Sequence, residues 1–291
     1  MKQSNVKEYF KPSSVEEAIS IISDYKEKIK IVAGGTDLFT DDNKEIKALV
    51  DITKLGLNYI KEEEGCIKIG AATTLKEIEK SDLIKSKFQS LWESSKCFAD
   101  YTIRNTATIG GNICMSLPSS DTIPPVISVG AVYLIATVDG EKKVHAEEFT
   151  TSARKNILEY NEILTEIQIP LSNNPYGTSF EKATRNSEDL ALVNAATFIE
   201  VDQDNKVKEA RVAIGTVGAT VVRPKKFEEA LIGLKLEDED QLDELTELLL
   251  ESISARTSIR TTKEYRTHMS RVFAKRTAMK AYERAVENNK K

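Results

Sequence analysis

Cysteine and histidine are scarce in this chain of 291 residues. Its three cysteines, Cys66, Cys97 and Cys114, lie far apart and form no CxxC pair, and its two histidines are His145 and His268. An iron-sulfur cluster normally takes four thiolates, and zinc takes a clustered set of Cys and His. We therefore expect three free thiols and no metal held by this chain alone. A Ser/His/Asp or Cys/His nucleophilic centre is disfavoured too, because neither histidine lies in a recognisable motif.

Long apolar runs and an excess of basic residues are also lacking. The longest nearly uncharged apolar stretch, residues 126–138, is too short to cross a bilayer, and residues 1–4 are polar, unlike the apolar part of a signal peptide. The 41 basic and 46 acidic side chains give a formal net charge of -5. A general nucleic-acid binder needs a basic surface instead. We expect a cytoplasmic protein with no membrane span and no nucleic-acid partner.

The order of predicted elements divides the chain near residues 172–175. Before that point we predict helices at 15–24, 74–79 and 83–98, a capped helix start at 121–125, and strands at 29–33, 48–52, 66–70, 131–138 and 162–170, with a hairpin turn at 139–140. After it we predict strands at 177–182, 191–201 and 207–216, followed by helices at 226–232, 239–252 and about 261–287. Strands followed by helices indicate an α+β lobe.

Two glycine pairs carry the strongest functional signal. Gly34 and Gly35 follow a predicted strand, and Gly110 and Gly111 occur about seventy-five residues later. Consecutive glycines allow positive φ and close approach of a ligand, so backbone N–H groups can converge on an anion. Two such groups of backbone N–H donors could meet on one diphosphate. The hydroxyls of Thr36 and Thr108 and the amide of Asn112 would add neutral donors, so that binding would not need a lysine.

Each glycine pair taken alone is also compatible with an ordinary tight turn. Other phosphate-binding folds are not supported, because the chain has no GxGxxG after a strand and no GxxxxGK[ST]. The pairing of the two motifs is what favours a dinucleotide.

The chain resembles the FAD-binding subunit of the molybdenum hydroxylases, a family that includes the xanthine, carbon monoxide and nicotinate dehydrogenases. The resemblance rests on residues 32–38 (VAGGTDL), 106–113 (TATIGGNI), 118–124 (PSSDTIP), 182–185 (KATR) and 189–191 (DLA), and it covers nearly the whole chain. It implies an α+β fold: a vanillyl-alcohol-oxidase (PCMH) type FAD-binding domain at 1–172, with subdomains at about 1–55 and 56–172. A C-terminal domain of the carbon monoxide dehydrogenase flavoprotein type would occupy 173–291.

The resemblance also implies which residues contact the cofactor. Residues 31–38 and 108–112 would wrap the FAD pyrophosphate and ribityl chain through their backbone N–H groups. Asp121 would accept hydrogen bonds from FAD hydroxyls; the alternative is that it only caps a helix. Phe98 would lie beside the isoalloxazine; the alternative is that it is a core residue. Lys182 would lie near the ring unless it forms an exposed ion pair. The full implied set is Ile31, Val32, Ala33, Gly34, Gly35, Thr36, Asp37, Leu38, Phe98, Thr102, Ala107, Thr108, Ile109, Gly110, Gly111, Asn112, Asp121, Ile163, Leu164 and Lys182.

By the same resemblance, this chain would pass electrons and would not oxidise the organic substrate, so no catalytic acid or base is predicted. The FAD would be non-covalent, because neither glycine motif contains a histidine. Molybdopterin would lie on a large partner subunit and two [2Fe-2S] clusters on a small one, with an acceptor such as NAD+. The alternatives are a self-contained flavin oxidoreductase on the same fold and a flavin-free interaction subunit.

Overall fold

The structure is a computed structural model that describes residues 5–38 and 45–290. The polar start at residues 1–4 therefore lies outside the described residues. Within the described part of the chain, no helix is both long enough and apolar enough to pass through a membrane.

A small three-stranded parallel sheet forms the first unit. Its elements are β1 (Glu8–Phe10), α1 (Val15–Tyr25), β2 (Ile29–Val32) and β3 (Ala48–Asp51), with strand order β1-β3-β2. The predicted capped entry to α1 is confirmed, since the Ser14 hydroxyl accepts a hydrogen bond from the Glu17 N–H. One face of α1, including Ile19 and Ile22, packs against Val50 of the sheet.

A five-stranded antiparallel sheet forms the second unit. Its strands are β4 (Ile60–Glu63), β5 (Cys66–Gly70), β6 (Val132–Thr137), β7 (Gly140–His145) and β10 (Ile163–Pro170), in the order β4-β5-β10-β6-β7. A separate two-stranded ribbon consists of β8 (Thr150–Ser152) and β9 (Lys155–Asn156). The hairpin turn predicted at residues 139–140 is confirmed, because β6 and β7 pair directly across it.

Short helices cover this second sheet. They are α2 (Leu75–Lys80), α3 (Asp82–Lys87), α4 (Gln89–Lys96), α5 (Tyr101–Arg104), α6 (Ile109–Cys114), α7 (Ile123–Ser128) and α8 (Ala146–Phe149). The single helix predicted at 83–98 is wrong. Phe88 leaves helical backbone geometry, with φ -133° and ψ 71°, and its buried ring stacks on Tyr176 at a centroid distance of 5.8 Å. Core burial of this ring therefore divides the segment into α3 and α4.

The C-terminal domain places three antiparallel strands against a long helix. Its elements are β11 (Tyr176–Ala183), β12 (Val193–Val201), β13 (Val207–Gly215), α9 (Lys225–Leu231), α10 (Glu239–Leu245) and α11 (Lys263–Asn289). The predicted order of strands and helices is confirmed. The helix predicted over 239–252 is α-helical only to Leu245, after which residues Thr246–Glu251 tighten into a 3-10 helix. Gly177 lets α11 approach closely, because a Cβ there would lie 2.1 Å from the Ala281 carbonyl oxygen.

Charged side chains join the C-terminal domain to the first domain. Glu93 on α4 accepts hydrogen bonds from the Arg284 guanidinium at 2.6 Å and from the Phe180 N–H at 2.9 Å, and Lys280 lies 3.1 Å away. A second link joins Arg223 to Glu147 at 2.8 Å. The two domains thus share polar contacts that are half-buried at Glu93 and partly exposed at Glu147.

Candidate functional site

A cavity of about 430 Å³ lies where the two subdomains of the first domain meet. Its volume falls in the range of about 300–1,000 Å³ that is typical of small-molecule sites. The wall comes from three parts of the chain, within residues 22–38, 107–115 and 158–164, together with Ile52, Ala71 and Phe98. The lining residues include Ile22, Lys26, Glu27, Ile29, Lys30, Ile31, Ala33, Gly34, Gly35, Thr36, Asp37, Leu38, Phe98, Ala107, Thr108, Gly110, Gly111, Asn112, Cys114, Met115, Leu158, Glu159, Tyr160, Ile163 and Leu164.

The first glycine motif is an open turn at the end of β2. Gly35 has φ +68°, a conformation that favours glycine. The N–H groups of Gly34, Gly35 and Thr36 make no hydrogen bond to other described residues. Because these residues line the cavity, their backbone donors are available to an anion placed there.

The two glycine motifs meet in space. A Cβ on Gly34 would lie 1.9 Å from the carbonyl oxygen of Thr106 and 3.0 Å from the Cα of Ala107. The turn after β2 therefore rests directly on the residues that precede α6. This contact is possible only without a side chain at position 34, since real Cβ atoms essentially never come within 3.0 Å of another heavy atom.

The second glycine motif is a helix, and the predicted turn at Gly110 and Gly111 is wrong. Thr108 caps α6, and neither glycine has positive φ. The backbone N–H groups of residues 109–112 are already engaged, so the prediction that they are the donors to a ligand is also wrong. They donate to Thr73 O, Ala71 O, Thr108 Oγ1 and Thr108 O in turn, at 2.9–3.1 Å. The physical reason for Gly110 is close packing: a Cβ there would lie 2.6 Å from the Cβ of Ala71.

Side-chain donors remain at the second motif. The Asn112 Oδ1 accepts from the Thr122 hydroxyl at 2.6 Å and also from the Ser120 hydroxyl. This fixes the orientation of the amide, and its NH2 group makes no hydrogen bond to the described protein. Asn112 and Thr108 both line the cavity. The amide of Asn112 and the hydroxyl of Thr108 are therefore neutral donors toward a ligand.

Asp121 and Lys182 form a buried ion pair beside the cavity, and neither of them lines it. Their side chains are 5% and 6% exposed and lie 2.7 Å apart, while the Asn194 amide donates to the second carboxylate oxygen at 3.2 Å. Burial raises the pKa of Asp121, and Lys182 and Asn194 oppose that rise. The plain cap expected as the alternative for Asp121 is wrong, since Thr122 precedes α7 and no side chain caps it. The exposed ion pair expected as the alternative for Lys182 is wrong as well.

Some of the remaining predicted residues line the cavity, and others lie in the core behind its wall or on the protein surface. Ile163 and Leu164 on β10 are buried and line the cavity. Phe98 is half-buried and both lines the cavity and packs on the main core, so the two interpretations of it are compatible. Val32 and Ile109 are core residues behind the wall, and Thr102 is exposed on α5.

Several cavity residues were not predicted from the sequence. Lys26 and Glu27 lie in the 3-10 turn that follows α1, Lys30 lies on β2, and Tyr160 lies in the segment before β10. Lys30 stands directly before the first motif and could have been included with it. Tyr160 lies 125 residues after Gly35 in a segment without any motif, so only the fold places it here.

The chemistry of the cavity suits a ligand with an anionic middle and apolar ends. Backbone N–H groups without a partner among the described residues and neutral side-chain donors lie between apolar walls. Lys26 and Lys30 line the cavity, but so do Glu27, Asp37, Glu159 and Glu162, so these neutral donors rather than a net positive charge favour an anion. Burial raises the pKa of the Cys114 thiol to about 12, so this wall residue stays protonated and neutral. Within residues 5–38 and 45–290, no group of three or more His, Cys, Asp or Glu side chains is placed to hold a metal ion.

Comparisons with known proteins agree with this chemistry. Residues 3–172 match the FAD binding domain in molybdopterin dehydrogenase, and residues 178–281 match the CO dehydrogenase flavoprotein C-terminal domain. The nicotinate dehydrogenase FAD-subunit of Eubacterium barkeri is 31% identical over 79% of this chain and 80% of its own. The carbon monoxide dehydrogenase medium chain of Hydrogenophaga pseudoflava is 30% identical over 78% of this chain and 80% of its own.

Solved structures extend the likeness to the whole fold. A chain of the Hydrogenophaga pseudoflava carbon monoxide dehydrogenase that lacks the Mo-pyranopterin moiety superimposes with a TM-score of 0.91 at 27% identity, covering 96% of this chain and 98% of that one. The predicted family, the α+β fold class, the FAD-binding domain and the oxidoreductase class are confirmed. The chain belongs to the family of FAD-binding subunits of the molybdenum hydroxylases.

Proposed function

We propose that FAD binds non-covalently in the cavity between the two subdomains, with its diphosphate at the turn after β2. The observation that carries this proposal is that the N–H groups of Gly34, Gly35 and Thr36 have no partner in the described part of the protein and belong to residues that line the same cavity as Asn112. Backbone donors with no internal partner are costly unless water or a ligand satisfies them. The site therefore has the donors that a diphosphate requires.

The chain's own residues orient the cofactor and control its surroundings. Phe98 and Leu164 supply apolar wall, and aromatic side chains pack well on flat rings. The buried Lys182–Asp121 pair is close enough to Cys97, the neighbour of Phe98, for the pKa of that thiol, which burial raises, to be raised further by Asp121 and lowered by Lys182. We propose that Lys182 and Asp121 approach the isoalloxazine at this end, where the lysine would stabilise negative charge on reduced flavin.

The proposed role is electron transfer within a larger complex. Bound FAD supplies the ability to take up single electrons and to release them in pairs. The electrons would come from [2Fe-2S] clusters on a small partner subunit, after a large subunit with molybdopterin oxidises the organic substrate. The final acceptor would be a molecule such as NAD+. The cytoplasmic location expected from the sequence stays a prediction.

Two measurements test this function. The purified full-length chain should show the two visible absorption bands of flavin, and after flavin removal it should take up one FAD per chain. A chain that stays colourless and does not bind added FAD would refute the proposal and favour the flavin-free interaction subunit. Co-purification from the source cell separates the remaining alternatives, because partners that contain molybdenum and iron should accompany the chain. A flavin-loaded chain that is isolated alone and oxidises a substrate itself would indicate the self-contained oxidoreductase.

A further inference from the structure

The turn that carries Phe98 has an unusual backbone conformation. Ala99 has φ +40°, in the left-handed region that favours glycine, yet it carries a side chain. A non-glycine residue keeps such a conformation only when its surroundings hold it there. Phe98, directly before it, lines the proposed FAD cavity. The backbone of Ala99 therefore determines where a wall residue of the site lies.

Arg104 is the group that holds this turn. Its Nη1 donates to the carbonyl oxygens of Phe98 and Ala99, at 2.8 and 2.9 Å. Its Nε donates to a carboxylate oxygen of Glu79 at 3.0 Å, and its side chain is 14% exposed. The planar guanidinium thus ties two successive carbonyl groups to a fixed carboxylate, a geometry that lysine cannot reproduce.

Glu79 is itself well anchored. Lys76 pairs with the other carboxylate oxygen at 2.9 Å, and the Trp92 indole N–H donates to the Glu79 carbonyl oxygen at 2.8 Å. On the other side of the turn, the Asp100 carboxylate caps α5 by accepting from the Ile103 N–H at 2.8 Å. The strained residue is therefore held from both sides, and Arg104 is the link that contacts the turn itself.

We propose that Arg104 is a positioning residue of the flavin site, which acts on the cofactor by holding Ala99 left-handed and so keeping the Phe98 ring in the cavity wall. This inference rests on the proposed function. Without the guanidinium, two carbonyl groups lose their donor and Ala99 relaxes toward the right-handed region. The Phe98 ring then leaves the position in which it contacts FAD.

A double-mutant cycle on the full-length chain tests this link. We expect Arg104→Ala to raise the Kd for FAD by about tenfold in fluorescence titrations of flavin-stripped protein, and Phe98→Ala to raise it similarly. In the Phe98→Ala background, Arg104→Ala should raise the Kd by less than about twofold, because the residue through which it acts is gone. The absorption spectrum of bound flavin should change in the same way in both single variants.

Rescue separates positioning from a general loss of structure. Glycine tolerates positive φ, so adding Ala99→Gly to Arg104→Ala should return the Kd to within about threefold of the wild type. Arg276→Ala, which removes an exposed arginine on α11, is the control and should leave both Kd and spectrum unchanged. Arg104→Lys replaces Arg104→Ala if the latter does not fold, and it should show the same loss.

Two results would overturn the inference. One is a wild-type Kd and spectrum in Arg104→Ala or Arg104→Lys. The other is a tenfold loss that persists in full when Phe98 is already alanine, since Arg104 would then act by another route. Failure of the wild-type chain to bind FAD would instead refute the proposed function, so the two failures are distinguishable.

Discussion

The contact between Gly34 and Thr106 leads to a quantitative prediction. In Gly34→Ala, the new Cβ would lie 1.9 Å from the Thr106 carbonyl oxygen, whereas real Cβ atoms stay at least 3.0 Å from such atoms. The turn after β2 and the residues before α6 must therefore separate by about 1 Å, and both are backbone. Overpacking of this kind costs about 1–3 kcal/mol of unfolding free energy.

The same displacement should weaken FAD binding. The uncommitted N–H groups of Gly34, Gly35 and Thr36 would move relative to Asn112, so donors from the two motifs would no longer suit one diphosphate. We expect the Kd for FAD to rise at least about tenfold, which corresponds to about 1.4 kcal/mol. Urea unfolding of the flavin-free protein and fluorescence titration with FAD measure the two effects separately.

Gly65→Ala is the matched control. It is the same chemical change at a glycine with φ +72° and no other heavy atom within 4 Å of the new Cβ. It should cost about 1 kcal/mol from backbone strain and leave the Kd for FAD unchanged. If Gly34→Ala is as stable as the wild type and binds FAD equally well, the proposed role of this contact in shaping the site is wrong.

Three further predictions concern buried polar groups and thiols. Lys182→Met should lower the unfolding free energy by about 3 kcal/mol at pH 8, more than Asp121→Asn combined with Lys182→Met, because the single change leaves a buried carboxylate unpaired. Burial raises the folded-state pKa of Asp121 above its unfolded value, so the carboxyl becomes protonated and uncharged as the pH falls toward 4. The loss of unfolding free energy caused by Lys182→Met should therefore be small near pH 4 and grow as the pH rises. Urea unfolding at several pH values measures this loss, and a loss that does not change with pH would contradict the prediction. Glu93→Gln should lower the unfolding free energy by about 2 kcal/mol and make the domain junction more sensitive to limited proteolysis. The Kd for FAD should stay within about twofold of the wild type, and a large loss of FAD binding would contradict the placement of Glu93 outside the site. Burial raises the pKa of both Cys97 and Cys114 to about 12, so about one in ten thousand of these thiols is ionised at pH 8. Mass spectrometry after brief alkylation should therefore find the label on Cys66 first, and earlier labelling of Cys97 or Cys114 would contradict this.

Local patterns predicted most elements of this fold. The Ser14 cap, the hairpin turn at residues 139–140 and the strand that ends at Pro170 each depend on neighbouring residues, and each occurs as predicted. The break at Phe88 and the helix at Gly110 were not predictable in this way. Phe88 is drawn out of helical geometry by a ring 88 residues away, and Gly110 is small because Ala71 lies against it.

Local sequence patterns likewise predicted only part of the candidate site. The glycine pairs both line the cavity. Their number suggested two similar anion-binding turns, but the structure has one open turn and one capped helix. The sequence alone does not distinguish a glycine that is required for positive φ from a glycine that is required for close packing. Arg104 and Tyr160 illustrate a second gap, since their roles depend on carbonyl groups and cavity walls that only the folded chain brings together.

The ion pair between Asp121 and Lys182 has a consequence for engineering. Asp121 lies before α7 in the first domain, whereas Lys182 on β11 and Asn194 on β12 lie in the second. Grafting the first domain onto a relative's second domain that has no lysine at this position would leave a buried carboxylate without its charge partner. Chimeras between members of this family should therefore exchange these three residues as one unit.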